Sequence, residues 1–383
     1  MSLLDRLKAQ IAQDGPIGVP EFFTRCLHDP RDGYYATRPD LGAGGDFITA
    51  PLVSQMFGEL IGLWAIETWT RMGRPSPFRL VEMGPGDGTL MSDLLRAGRL
   101  APDFLAAAEV WLVEVSEPLK TKQVTRLGEG PRWVSRLDEV PGGAPMILVA
   151  NELLDCLPAR QFVRTRTGWA ERVIGLDADG ALAFGLRAIN PPPRGGGVRV
   201  ADGGGSPVGH APSPSGPLDH LPRWGEDLEA GCVVESSPAQ AALASDIAHR
   251  LITDGGAALL IDYGRAEPEP GDTLQAIQNH RKVDPLETAG LADLTVWADF
   301  PSVIAAARET GAKAGPILTQ GQFLLALGIL ERAEALAARQ PDRVDEIARQ
   351  LDRLVGEAQM GDLFKVACLC APGLSPPLFE DAT

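Results

Sequence analysis

The chain has 383 residues and a formal charge of −16, from 51 acidic against 35 basic side chains, and 44% of it is aliphatic or aromatic. That length holds one large domain or a core carrying a smaller one, and the composition excludes a disordered chain. The acidic balance excludes a phosphate-neutralising nucleic-acid surface as the main purpose and suits a cationic partner, although acidity often serves solubility alone.

Residues 1–76 read as a mainly helical and lid segment. Leu3, Leu4, Leu7 and Ile11 recur at helical spacing until Gly15 and Pro16, and Val53, Phe57, Leu60, Ile61, Trp64 and Ile66 mark a second apolar face. The opening stretch, MSLLDRLKAQIAQDGP, carries charges where a secretory signal is apolar, which points to a soluble, cytoplasmic protein. Between the two helical faces, GYYATRPDLGAGGDFITAP has too many glycines for regular structure. Tyr34, Tyr35, Asp46, Thr49 and Gln55 belong to this region, which either folds over a ligand as a lid or is ordinary packing.

From Phe78 the rhythm changes. FRLVEM, EVWLVEV, MILVAN and GAALLIDYG each read as a strand buried on both faces, with room for crossover helices between them. The expected fold class is α/β, a Rossmann-like, doubly wound and mostly parallel sheet. Residues 77–157 form its first part and 236–383 its second. An insertion at 158–235 holds a hairpin turning near Thr167 and Gly168 and a glycine- and proline-rich loop from Ile189 to Pro217. DLTVWADF and DLFKVACL read as two later strands, with a helical stretch broken at Pro341 between them. The apolar run FLLALGIL is far shorter than the roughly 20 residues of a membrane span. Cys26, Cys156, Cys232, Cys368 and Cys370 lack CxxC spacing, so neither a disulfide framework nor a metal site is expected.

The stretch LVEMGPGDGT, Leu80 to Thr89, sets Glu82, Gly84, Gly86 and Gly88 at alternate positions. A phosphate-binding P-loop needs Gly-Lys-Ser/Thr, and a dinucleotide fingerprint needs glycine where Thr89 stands, so the turn fits S-adenosylmethionine best. That cofactor has no phosphate; its cationic amino-acid end suits Glu82 beside bare backbone. Glu114, ending WLVEV, would reach the ribose hydroxyls, as acidic residues do at the second strand of dinucleotide folds.

In open parallel sheets ligands lie beyond the carboxyl ends of the strands. MILVA ends there in Asn151, Glu152 and Asp155 (NELLD). Glu152 and Asp155, three apart on a helical turn, would face one way and hold an arginine guanidinium, which is charged up to pH 12 and forks onto carboxylates. Asn151 as a helix cap with acids in the first turn is the equal alternative. His280 is a weaker substrate contact, and Asp299 either faces the site or caps the following helix.

In this order, GPIGVPEFFTRCLHDPRDGYY, GDFITAPLVSQMFGELIGLW, VEMGPGDGTLMSDLL, WLVEVSEPL, NELLDCLPARQF, IDYG, DTLQAIQNHRKVDP, DLTVWADF, TQGQFLLALGI and MGDLFKVACL span nearly the whole chain. Together they resemble the MidA family of class I S-adenosylmethionine-dependent methyltransferases, relatives of a mitochondrial complex I assembly factor. The resemblance implies a class I core with a family-specific N-terminal segment, and Glu82, Gly84, Gly86, Gly88 and Glu114 match the cofactor positions. The mitochondrial relative forms symmetric dimethylarginine on a complex I subunit, so a protein substrate, such as a respiratory complex I subunit, is implied here. A small-molecule or other acceptor, and a non-catalytic assembly factor that keeps the cofactor pocket, are the alternatives.

Overall fold

The computed structural model describes residues 1–37, 49–189 and 228–380. Asp46 and the loop that runs on to Pro217 from residue 190 lie outside the described residues. Phe78–Met83 (β1), Ala108–Val113 (β2), Arg132–Val134 (β3), Met146–Asn151 (β4), Gly256–Arg265 (β5) and Phe364–Cys370 (β6) form one sheet in the order 3-2-1-4-5-6. The pairs β1/β2, β1/β4, β2/β3 and β4/β5 are parallel; β6 runs antiparallel to β5, and the two-residue strands Lys313–Ala314 and Leu318–Thr319 pair on its far side. The strand order therefore reverses between β1 and β4, the place where open α/β sheets bind ligands.

Every residue of β1 and β4 is buried, because helices cover both faces of the sheet. Alternate side chains divide between two cores, as the period of two requires. Leu80, Ile147 and Leu259 join one core with Gln55–Arg71 (α3) and Thr89–Gly98 (α4). Val81, Leu148 and Leu260 join the other with Pro238–Asp254 (α6) and Phe300–Thr310 (α7). The label α5 belongs to Glu117–Leu127, which follows β2.

A third core lies apart from the main sheet. The first two helices, Leu3–Asp14 (α1) and Val19–His28 (α2), pack Leu7, Ile11, Phe22 and Phe23 against Ile174 and Leu182 and against Ala276, Leu286 and Leu294. Ile174 and Leu182 come from an antiparallel sheet of Arg160–Thr165, Gly168–Leu176, Leu182–Ala188 and Val233–Ser236, joined by Ile17–Gly18. Packing thus cuts across the expected boundary at residue 76: α1 and α2 belong to this third core, whereas α3 belongs to the main sheet.

Two expected elements differ. DLTVWADF does not add a long strand to the main sheet: Asp293–Thr295 pairs with Gln275–Gln278 in a three-stranded side sheet, and only Ala298–Asp299 runs beside the end of β5. The place beside β5 goes instead to β6, which pairs with it through seven residues. The three-residue strand β3 is too short and too exposed to leave a pattern in the sequence.

Candidate active site

The turn after β1 has three left-handed glycines, with φ of 66° at Gly84, 54° at Gly86 and 82° at Gly88. A Cβ on Gly84 would stand 3.0 Å from the Leu153 side chain, so any other residue there is both strained and crowded. Gly88 then caps α4. Inside the turn, Glu82 is 3% exposed, and its Oε2 has no hydrogen-bond partner among the described residues. Burial first, and then the Asp87 and Glu114 carboxylates, push its pKa up to about 8, against the Met91 backbone N–H.

Glu114, just past β2, is fixed from two sides. Ser116 N donates to Oε1 at 2.7 Å and Gln123 Nε2 donates to Oε2 at 3.0 Å. The same Gln123 amide nitrogen donates to Gly86 O at 2.8 Å, and its oxygen accepts from Trp133 Nε1 at 2.8 Å. One fully buried glutamine on α5 therefore sets the distance between the glycine turn and the acidic end of β2. Burial raises the Glu114 carboxyl above its ordinary range.

Glu82, the glycine turn and Glu114 share a cavity of ≈ 280 Å³ with Asn151, Glu152, Asp155 and Cys156. The expected helical turn at NELLD does not form. Asn151 is the last residue of β4, and Glu152 takes a left-handed φ of 53°. A helix needs these backbone N–H groups for its own ladder or its caps, whereas here Glu152 N donates to Ile261 O at 2.8 Å. Asp262 Oδ2 takes the next ones, from Leu154 N at 2.8 Å and Asp155 N at 3.1 Å. Asn151 is thus no helix cap; its Nδ2 donates to Glu152 Oε1 at 3.0 Å, and Ala50 N donates to the same oxygen at 3.2 Å. Burial, and then Asp155, push Glu152 up to about 8, and burial also raises Asp155 and Asp262. Among the described residues no lysine or arginine forms an ion pair with any of the three.

The family described as S-adenosyl-L-methionine-dependent methyltransferase matches residues 60–317. The chain belongs to that family. Protein arginine methyltransferase NDUFAF7, mitochondrial, from Danio rerio is 34% identical, over 95% of this chain and 86% of its own length. The Homo sapiens protein of the same name is 32% identical, over 96% and 83%. A Burkholderia thailandensis structure with S-adenosyl-homocysteine bound has a TM-score of 0.76 and 27% identity, covering 96% of this chain and 91% of that one. The cofactor of this methyltransferase is S-adenosylmethionine. The expected cytoplasmic location is overturned, because both relatives are named mitochondrial. Charges that break a secretory signal argue against secretion only and do not choose among other compartments.

The methyltransferase cavity suits this cofactor on its own chemistry. A buried carboxyl with one oxygen unpartnered among the described residues offers a site for an ammonium, the glycine turn leaves three positions without a Cβ, and Glu114 presents a second, firmly held carboxylate. Tyr35 and Thr49 line the cavity, and Ser116 Oγ donates to Tyr35 O at 2.8 Å, tying the N-terminal segment to the end of β2. Two other expected residues are elsewhere. Gln55 is exposed at the start of α3 and donates from Nε2 to Glu59 Oε1 at 3.4 Å, a contact within its own helix. His280 is exposed at a two-residue hairpin tip, where Asn279 and His280 have φ of 52° and 60°, the left-handed pair that such turns demand. Asp299 caps α7, accepting from Ser302 N at 3.3 Å.

Sequence reasoning missed Gln123, His28, Cys156 and Asp262. Tyr35 Oη and Cys156 Sγ are hydrogen-bonded at 2.9 Å, Cys156 Sγ donates to Asp155 Oδ1 at 3.2 Å, and His28 stacks on Tyr35 with ring centroids 5.8 Å apart. Only Asp262 carried a usable signal, a charged residue at the end of an otherwise apolar strand run.

Proposed function

We propose that this methyltransferase methylates an arginine side chain of a protein, with Glu82, Gly84, Gly86, Gly88 and Glu114 holding the cofactor and Glu152 and Asp155 holding the guanidinium. Bound there, S-adenosylmethionine supplies an activated methyl group. The observation that carries the reading is the half-buried Glu152 and the buried Asp155 together on the cavity wall, without a paired cation among the described residues. Such groups are costly unless a cationic ligand completes them, and a planar guanidinium forks onto two carboxylates.

The residues have separate tasks in this scheme. Asn151 and the Ala50 N–H hold one oxygen of Glu152 and leave the other for the substrate. An arriving guanidinium favours the charged form of Glu152 and Asp155 and so draws them down from their raised values. The carboxylates align one nitrogen with the methyl group. Methyl transfer would release one proton from that nitrogen, and Glu152 or Asp155 would accept it. The pocket walls, with Tyr35 and Thr49 on the N-terminal side, keep bulk water from the reacting atoms.

The acceptor protein we propose is a subunit of respiratory complex I, on the strength of the family resemblance. Incubating the enzyme with methyl-labelled S-adenosylmethionine and a protein extract tests the reading. Label is expected in a protein band and lost with Glu152→Gln, and label confined to small molecules would overturn it.

A further inference from the structure

The IDYG segment at the end of β5 has no part in the function described so far. Ile261 pairs with Asn151, so β5 carries on past the last residue of β4 and Asp262 stands beside the loop that follows. Asp262 is wholly buried. Its Oδ2 accepts from Leu154 N at 2.8 Å and Asp155 N at 3.1 Å, while its Oδ1 accepts from Tyr263 N at 2.8 Å. One position earlier, Ile261 O accepts from Glu152 N at 2.8 Å. Two consecutive residues of β5 thus take three backbone N–H groups from a loop without regular structure. That loop contains a non-glycine residue at φ 53°, a conformation that persists only where the surroundings over-determine it.

We propose that Asp262 is the positioning residue of the acceptor wall: its carboxylate fastens the backbone between Leu153 and Asp155 and so aims Glu152 and Asp155 into the cavity. This rests on the reading of those two acids as guanidinium ligands. Asp262 touches neither acceptor nor cofactor; it acts through the loop. A loop set by one carboxylate shifts when that carboxylate changes, and a displacement of about 1 Å lowers a rate roughly 10²-fold. The cofactor groups sit at the ends of β1 and β2 and are tied to α5, and only the Leu153 side chain beside Gly84 links them to this loop, so their affinity should change little with Asp262.

The experiment measures kcat and the KM for S-adenosylmethionine from label transfer into a protein extract, and the Kd of S-adenosyl-homocysteine by calorimetry. Asp262→Ala removes both acceptor oxygens and is expected to lower kcat about 100-fold; Asp262→Asn keeps one oxygen and is expected to lower it about tenfold. Both should keep the Kd within about twofold of the parent, a split that a merely structural role does not produce. A kcat for Asp262→Asn within twofold of the parent overturns the proposal. So does a Kd that worsens in step with kcat, or an Asp262→Asn protein that does not fold. Glu152→Gln and Asp155→Asn run alongside. Full activity in both overturns the acceptor reading together with this one, whereas loss in both with an active Asp262→Asn overturns this one alone.

Discussion

Glu82 and Glu114 on one side of the cavity, and the half-buried Glu152 and buried Asp155 on another, are all carboxyls with raised pKa values, but the chain builds the two pairs differently. The first pair stands on, or one residue past, adjacent parallel strands connected through two short helices, and Gln123 ties Glu114 to the glycine turn beside Glu82 within 37 residues. The second pair stands on an irregular loop that is fastened to β5 across 108 residues, with the inserted sheet between. Regular structure makes the first pair insensitive to remote changes; the second depends on a few hydrogen bonds from a distant strand. Changes on the two sides should therefore separate binding from turnover.

The largest effect is expected at the glycine turn. Gly84→Val puts a β-branched residue at φ 66° in the cofactor's path, and its Cβ, 3.0 Å from Leu153, also presses on the acceptor loop. Calorimetry with S-adenosyl-homocysteine should show the affinity lowered by more than about 100-fold, which is roughly 3 kcal/mol. Retained affinity would mean that the turn does not approach the ligand. On the acceptor side Glu152→Gln should lower kcat about 10²-fold at saturating cofactor with Kd unchanged, because it alters charge at nearly constant shape. If both parameters fall together, the contrast between the two sides is wrong.

How much of this the sequence discloses follows the same division. LVEMGPGDGT is contiguous: the left-handed glycines and the buried glutamate sit within seven positions, so local chemistry suffices to name the ligand. The strands β1, β4 and β5 are equally legible, since burial on both faces leaves largely apolar runs, and β2 is legible from its buried second half, Trp111 to Val113. NELLD misleads because asparagine followed by acids fits a capped helix as well as a loop. What decides is where the N–H groups of Glu152, Leu154 and Asp155 go, and their acceptors are residues of β5 far along the chain. The third core is invisible for the same reason: α1 and α2 find their partners at Ile174, Leu182 and Leu294, which no local pattern connects.

A smaller, pH-dependent effect tests the electrostatics common to both sides. Glu82 and Glu152 have pKa values of about 8, above the value of roughly 4.3 for an unperturbed glutamate. Between those values the native state holds protons that the unfolded chain has released. Their contribution to stability is therefore complete below about pH 4.3 and is lost as pH rises through about 8. Without cofactor, the melting temperature of the parent should fall from pH 6 to pH 9, and Glu82→Gln should flatten that slope. S-adenosylmethionine, bringing positive charge, should also flatten it. An unchanged slope in Glu82→Gln would show that the carboxyl is already ionised at neutral pH.

The smallest effect belongs to His280, and its smallness is informative. A histidine serving as a substrate contact or proton carrier would cost orders of magnitude on removal. Here the ring is exposed at the tip of the hairpin joining Gln275–Gln278 to Arg281–Val283, where positive φ at two consecutive residues is the structural demand. His280→Gly meets that demand without a Cβ, so kcat and KM should stay within about twofold and the hairpin should be no less stable. His280→Val is the sharper partner, since a β-branched residue at φ 60° is strained while the acceptor wall is untouched. It should lower the melting temperature by a few degrees with kcat unchanged, and a kcat loss common to both variants would return His280 to the active site.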